Sequence, residues 1–508
     1  MSRSRRAAGR RTAGSRARRR GHRTRTTAEA IGLTFLSALL PGSGLVMGGR
    51  KKLGALVLTI SAGLVAVGAY FGLAQRDEVL AVAVSPRRLL VATAVVVLLG
   101  LCWIWVVVAS HKLIRPVTMS YGGRLGASLF VGLLCFGIAV PTTVAAQTVM
   151  AQRDLVGSVF ASEGDSKSAT RPAVNKNDPW AKIPRLNILL LGADDGVGRE
   201  GTRTDTVMVA SIDTLTGDTK LISLSRNWMR MPFPKDSPLY KLYPDGYWDP
   251  SKVNVEEPEY YLDAMYDNIP KAHPGILGQT DNEGADVLKL AASAALGLDI
   301  DYYMQVNLAG FEQIVNALGG ITVNINYRVP IGGDYGVGAG TNGPTLPSSY
   351  LQPGPNQKLN GHDALWFARG RYGLTDQSRQ ERQRCTIHAL VNSANPATLV
   401  TKYKQIAAAG KQLLRTDIPQ ELLPALITLG LKVQKANVSN VDLDKDKNFP
   451  NGRNPDYAAM RELVQQAINP PKTTTPTAKK PAGTATKKTP ATTQNLDNAC
   501  AYHPTAKS

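Results

Sequence analysis

Three long apolar runs dominate the first 150 or so positions: Leu53–Ala74, Leu89–Ser110 and Leu125–Ala146. Each is long enough to cross a bilayer, whose hydrocarbon core needs about 20 apolar helical residues. A fourth run, Ala30–Gly49, is broken by Pro41-Gly42-Ser43-Gly44 and reads as a re-entrant or interfacial hairpin over 30–49. Basic clusters flank these runs: the arginine-rich tail of residues 1–28, Arg50-Lys51-Lys52, and Lys112, Arg115 and Arg124. Positive charge favours the cytoplasmic side, whereas the loop between Arg76 and Arg88 also carries Asp77 and Glu78 and can lie outside. A membrane region over 29–152 with three crossings (53–74, 89–110, 125–146) puts everything after it on the extracellular side of the plasma membrane. A first run that crossed fully would return it to the cytoplasm. Further spans follow the first apolar run, which argues against a cleaved signal peptide.

Beyond 152 the pattern changes. Residues 153–184 are polar without clear periodicity and read as a stalk. From Leu186 short apolar runs alternate with turn residues: "LNILLLGAD", "DTVMVASID" and "TKLISLSR" predict three strands, the last two joined by the turn Leu215-Thr216-Gly217-Asp218. "GADVLKLAASAALG" and "AGFEQIVNALGG" have helical spacing, "YYMQVNL" and "ITVNINYRV" read as strands, and Asp376–Asn395 as a helix. Strands and helices mix without strict alternation, which predicts an α/β domain over 185–469 whose sheet is covered by helices on both faces. Residues 470–508 are rich in Thr, Pro and Lys and read as a disordered tail.

Charge sharpens this division. The net charge is +20, but residues 1–26 hold eleven arginines and no acid, and residues 470–508 hold six lysines against one aspartate, which leaves only +4 between. Basicity thus belongs to the tails. Of four cysteines, Cys102 and Cys135 fall in apolar runs. Cys385 and Cys500 are the two expected outside, where a disulfide pinning the tail to the domain is chemically permitted. No Cys-x-x-Cys occurs and the six histidines are scattered, so no zinc site is expected. "GVGREG" at Gly196–Gly201 has dinucleotide spacing but runs into a strand instead of a helix, so a flexible loop is expected.

The candidate chemistry lies at one edge of the expected sheet. Asp194 ends the first strand and Asp205 begins the next; a hairpin would return both carboxylates to one edge. Two carboxylates with substrate phosphates and water are what Mg²⁺ (or Mn²⁺) accepts, because it gives up its hydration reluctantly. Arg203 and Arg226 flank the same edge. Late in the chain, "ARGRYGLTDQSRQERQRC" gathers Arg369, Arg371, Arg379, Arg382 and Arg384. Arg369 and Arg371 would share one face of an extended segment, and Arg379, Arg382 and Gln383 one face of the following helix, anchored by Ile387, Leu390 and Val391. Guanidinium forks suit phosphate oxygens, and an inward-facing cluster without an anion is costly.

These stretches, together with "RTDTVMVASID", "LISLSRN", "KVN" at Lys252–Asn254, "IDYYMQVNLAGFEQIVNALGGITVNI" and "LNGHDALWFARGR", resemble the LytR–CpsA–Psr proteins over about 185–469. The resemblance implies an α/β/α sandwich with a pocket for a polyprenyl tail. It implies a phosphotransferase that moves a glycopolymer from a polyprenyl-pyrophosphate lipid to peptidoglycan. Carried over by motif, Asp194 and Asp205 would hold the metal. Arg203, Arg226, Arg369, Arg371 and Arg379 would bind pyrophosphate, supported by Arg382, Gln383 and Lys252. Arg371 and Asp376 would be catalytic, Asp376 orienting or deprotonating the acceptor hydroxyl. This chain departs from the family at Asn227, where aspartate is usual. It departs again in the long acidic run "VEEPEYYLDAMYDNIPKAHPGI", expected to alter the acceptor side or the lipid mouth.

Three other readings use the same residues. A lipid-pyrophosphate hydrolase would put water in place of the sugar hydroxyl. A membrane-attached DNA-binding regulator would need the arginines in the cytoplasm. A structural wall anchor would need no chemistry. An extracellular domain disfavours nucleic acid as a partner and leaves lipid-linked glycan, peptidoglycan and membrane lipid.

Overall fold

The computed structural model describes residues 26–75, 79, 82–83, 85–116, 119–175, 178–194, 203–251, 257–334, 344–394, 414–443, 454–470 and 493–503. The chain divides into two compact units. The first comprises residues 1–74 and 93–147, and the second residues 75–92 and 148–508.

In the first unit, α1 (Thr27–Leu39) opens on a capping box between Thr26 and Glu29, and a turn at Pro41-Gly42 leads into the short α2 (Ser43–Met47). The run expected as a hairpin is therefore helix, turn, short helix. Helices α3 (Lys51–Ala74), α4 (Pro86–Ile114) and α5 (Tyr121–Val159) contain the three expected spans. All three are long and apolar enough to cross a membrane. Ser37 of α1 donates to the Ser110 hydroxyl at 2.9 Å, which satisfies a buried polar pair between α1 and α4.

The second unit is built on a seven-stranded mixed sheet ordered β11-β10-β3-β2-β1-β4-β9. Its strands are β1 (Arg185–Ala193), β2 (Thr204–Asp213), β3 (Thr219–Leu224), β4 (Tyr302–Asn307), β9 (Leu414–Thr416), β10 (Val438–Val441) and β11 (Thr493–Asn495). β1 and β2 are nearly continuous apolar runs because both of their faces are covered. Leu189, Leu191, Val207 and Val209 point to one core with α7 (Leu262–Ala272), α8 (Glu283–Leu296) and α13 (Tyr457–Ile468); here α6 is the short helix Pro238–Leu242. Met208, Ala210 and Leu221 point the other way, where Ile387 of α11 (Asp376–Ser393) and Leu496 of α14 (Leu496–Ala499) meet them. On that side Leu186, Ile188 and Tyr302 pack with Leu429 of α12 (Leu423–Val433). The period-two alternation thus separates two helical layers.

A smaller cluster forms where α9 (Leu308–Leu318), β5 (Ile321–Ile325), β8 (Gly354–Leu359) and α10 (Gly361–Arg369) pack with α11. β6 (Val329–Asp334) and β7 (Thr345–Leu351) pair separately beside it. "ITVNINYRV" is therefore two strands belonging to different small sheets.

Two segments differ from expectation. The stalk begins as the end of α5, and Phe160, Val174 and Trp180 then pack against the sheet. Ser168, Thr170 and the Ala169 N–H all donate to the buried carboxylate of Asp286, which fixes the segment to α8. The tail is not uniformly without structure: residues 493–495 pair with β10, α14 follows, and Cys500 forms a disulfide with Cys385 of α11, Cα atoms 5.6 Å apart. A covalent tether and three ladder positions supply what the composition of 470–508 could not. Residues 471–492 lie outside those described.

Candidate active site: an arginine cluster sharing a cavity with an alkyl lining

The register of the sheet assembles the site. Ala193 pairs with Thr204, and the Asp194 N–H donates to the Arg203 carbonyl at 2.9 Å. β3 runs antiparallel to β2, with Leu224 opposite Val207, so Arg226 emerges at the same edge. β4 is parallel to β1 and ends at Asn307 beside Ala193. Asn307 caps α9 by accepting from the Gly310 N–H, so that helix starts at this edge too. The loop "GVGREG" lies outside the described residues.

A cavity of about 820 Å³ opens here. Asp194, Arg203, Asp205, Arg226, Arg369, Arg371, Arg379 and Gln383 line it together with an alkyl surface that includes Leu190, Met304, Phe311, Ile314, Leu318 and Leu390. Helix α11 shows how the two parts are arranged. Arg379, Gln383, Ile387, Leu390, Val391 and Ala394 face the cavity along one stripe. The charged end of that stripe and its apolar end are roughly 18–22 Å apart at 1.5 Å per residue. Ile387, Leu390 and Val391, expected to anchor the helix to the core, also form a cavity wall.

Five arginines face two carboxylates in this lining, so positive charge is in surplus. Asp205 ion-pairs closely with Arg226. Burial alone would raise its pKa, but Arg226, Arg379 and Arg369 hold it below the ordinary value. Burial alone would depress Arg226, yet Asp205, Asp263 and Asp376 hold it above the usual arginine range. Arg379 is 4% exposed, and its pKa is lowered by burial and by neighbouring arginines despite an ion pair to Asp376 at 2.6 Å. Among the described residues, the Nε groups of Arg226 and Arg379 are buried without an acceptor. Buried donors of this kind are rare, and an anion with several oxygens is the kind of group that would satisfy them.

Arg369 ends helix α10 and Arg371 follows in the next loop, so the two do not share an extended segment, yet both line the cavity. Gly370 between them lies against β6: a Cβ there would meet the Pro330 carbonyl oxygen at 2.4 Å. Both arginines line the cavity on either side of that close approach. Arg369 reaches Asp194 at 3.8 Å.

Two expected residues have other work. Arg382 is buried but absent from the lining. It donates to the Phe367 carbonyl at 2.7 Å, to the Tyr327 hydroxyl at 2.8 Å and to the Gly370 carbonyl. It therefore braces the end of α10 against α11 and is not a phosphate ligand here. Asp376 is also outside the lining. One of its oxygens pairs with Arg379 and the other accepts from Gln380 at 3.2 Å, so in this structure it holds Arg379 in place. Lys252 lies outside the described residues.

Sequence reasoning missed Asp263, in the first turn of α7. It is buried 3.8 Å from Arg203 and 3.9 Å from Arg226, one of its oxygens has no hydrogen-bond partner among the described residues, and burial raises its pKa to about 6. The available signal was a lone acid flanked by Leu262, Ala264 and Met265, a carboxylate on an otherwise buried helix start.

For a metal, Asp194 and Asp205 both reach the cavity. Among the described residues no three carboxylate, histidine or cysteine side chains gather into a cage. The donor chemistry fits a hard cation whose remaining ligands are water and substrate phosphate oxygens.

A mixed sheet with helices on both faces, an arginine cluster and an alkyl cavity define the class. Residues 157–469, more than half of the chain, match the LytR_cpsA_psr family, and the chain belongs to it. It is accordingly an enzyme of the transferase class. Among its relatives, the polyisoprenyl-teichoic acid--peptidoglycan teichoic acid transferase TagU of Enterococcus faecalis is 26% identical over 306 residues, 59% of this chain and 81% of that one. Biofilm regulatory protein A of Streptococcus mutans is 32% identical over 240 residues, 46% of this chain and 50% of that one. The crystal structure of B. subtilis TagV is similar at 20% identity and a TM-score of 0.38, covering 56% of this chain and 98% of that one.

Proposed function

We propose that this chain transfers a glycopolymer phosphate from a polyprenyl-pyrophosphate carrier to peptidoglycan. The observation that carries this is one cavity that joins an arginine cluster, with Arg226 and Arg379 buried in it, to an alkyl lining that continues along the helix carrying Arg379. A lipid pyrophosphate has that polarity along its length. The transferase activity for which the TagU relatives are named supports the same reaction class.

Arg226 and Arg379, held by Asp205 and Asp376, present donors to the pyrophosphate; Arg203, Arg369 and Arg371 add charge around it. A hydroxyl oxygen of the acceptor attacks the phosphorus that carries the glycan, its proton leaves to solvent, and the bond to the lipid phosphate breaks. Pre-placed positive charge stabilises the oxygens as charge spreads over them. Mg²⁺ or Mn²⁺ held by Asp194 and Asp205 would neutralise phosphate charge. Alkyl side chains hold the tail and exclude water from the charged end, which strengthens every ion pair there.

The second unit belongs, on this reading, outside a plasma membrane crossed three times. Loop charge supports it, and so does the Cys385–Cys500 disulfide, a bond typical of oxidising compartments.

The test is transfer by the full chain in detergent, with a labelled lipid-pyrophosphate glycan and insoluble peptidoglycan. Label should enter the peptidoglycan, and Arg371→Ala should abolish this. Release of label at the same rate with and without peptidoglycan would mean a hydrolase instead. Protease protection of the C-terminus in right-side-out cells would overturn the topology.

A further inference from the structure

A second cavity of about 810 Å³ shares Arg203 with the first. Its walls are aromatic and polar: Tyr243, Tyr247, Trp248 and Tyr260, with Asp249, Glu259 and Lys271 among them. We propose that this groove is a subsite for a neutral oligosaccharide, the glycan strand of the acceptor. This rests on the transfer reaction proposed above and adds to it where the acceptor lies.

The rings form a connected wall. Tyr243 and Tyr247 meet edge to face at 5.2 Å, and Tyr247 and Tyr260 lie 5.4 Å apart. The Arg230 guanidinium covers one face of Trp248 at 3.7 Å and fixes the plane of the indole. Arg230 takes a left-handed φ of +52°, unusual for a residue with a side chain. Gly246 holds that turn: a Cβ there would meet the Arg230 carbonyl oxygen at 2.3 Å. Tyr243 is oriented in turn by a 3.0 Å hydrogen bond between its hydroxyl and His273. Tyr247 is buried and backs the wall, while Tyr243, Trp248 and Tyr260 are partly exposed and offer flat apolar faces beside polar groups. Pyranose rings present the matching pattern of C–H faces and hydroxyl edges.

Charge selects among glycans. Arg203 and Lys271 are balanced by Asp249 and Glu259 in the lining, so a polyanion gains nothing here, unlike in the first cavity. A glycan of N-acetylated sugars suits the groove better than a phosphate-bearing polymer. Geometry points the same way. In-line displacement brings the attacking hydroxyl from the side opposite the leaving lipid phosphate. The alkyl cavity is the place for the lipid, and the groove reaches the arginines through Arg203 without sharing any of that lining. The acidic run that contains Glu259 and Tyr260 supplies part of this wall, which gives that departure from the family pattern a use.

The experiment is isothermal titration of the full chain in detergent with tetra-N-acetylchitotetraose, a neutral β-linked probe. Wild type should bind it, and Trp248→Ala and Tyr260→Ala should each weaken binding about tenfold, the scale of one lost aromatic contact. Tyr260→Phe should retain it, and Arg371→Ala should bind the probe normally while losing lipid pyrophosphate. Tyr260 is only partly buried, so its variants remain informative if Trp248→Ala does not fold. Wild type that binds lipid pyrophosphate but not the probe would overturn the subsite and leave the transfer reaction standing. Binding of the probe without lipid pyrophosphate would do the reverse. Tighter binding of a glycerol-phosphate oligomer than of the probe, lost in Tyr260→Ala, would overturn the choice of a neutral glycan.

Discussion

Asp263→Asn is the sharpest test of the electrostatics at the arginine site. The Asp263 side chain is 3% exposed, and burial raises its pKa to about 6 although Arg226 and Arg203 pull it down. Its ordinary value is 3.8. The folded chain therefore holds the proton more tightly than the unfolded chain. Stability linked to this group is fully present below pH 3.8 and is lost as pH rises through about 6. Above that, keeping the carboxylate ionised costs roughly 3 kcal/mol, from 1.36 kcal/mol for each step of one in pKa. Asparagine keeps the shape and removes the titration. Thermal melts of the detergent-solubilised chain should show Asp263→Asn more stable by up to roughly 3 kcal/mol at pH 7.5, a gain of several degrees, and equal to wild type near pH 4. A loss of stability at pH 7.5, or a gain of the same size at both pH values, would refute the claim that burial dominates this carboxylate. A destabilising acid retained among arginines is what a site tuned for charge would carry.

Arg382→Ala should destabilise by about 3–5 kcal/mol, because it leaves buried carbonyls unpaired. The thermal shift should not be rescued by Arg382→Lys, which lacks the planar fork. Cys500→Ser should lower stability by about 4–5 kcal/mol, given a loop of 115 residues between the cysteines, measured as the fall in melting temperature under non-reducing conditions. Chelation by EDTA should suppress transfer and be reversed by Mg²⁺, while Asp194→Asn should weaken that rescue at least tenfold in a metal titration; unchanged metal dependence in the variant would remove Asp194 from the metal site.

Much of the architecture was legible because local pattern and final environment agree. β1 and β2 are apolar runs whose alternate residues enter two cores, and their hairpin brings Asp194, Arg203 and Asp205 to one edge by register alone. The helices expected over "AGFEQIVNALGG" and Asp376–Asn395 form as expected, opened by caps at Asn307 and Thr375, whereas a helix capped by Asn360 replaces the extended segment expected for Arg369 and Arg371. The stalk and the end of the tail were misread because their order comes from distant partners: Asp286 for one, Cys385 and β10 for the other. Polar composition reports what a segment can bury by itself, not what it can be fastened to.

The amino-acid sequence by itself determined three membrane-length helices, a strand-rich second unit and an excess of arginine in that unit's late segments. Length, periodicity and charge are properties of a segment, and they survive folding unchanged. Only tertiary structure decided which arginines serve the site. Arg379 and Arg382 are three residues apart on one helix and equally buried. One faces the cavity with a buried Nε lacking an acceptor, while the other is used up by the carbonyls of Phe367 and Gly370. The packing of α10 against α11 makes that division, and so does the burial of Asp263 against Arg226. Both depend on partners 12 or more residues away in sequence, whose contacts the local pattern does not report.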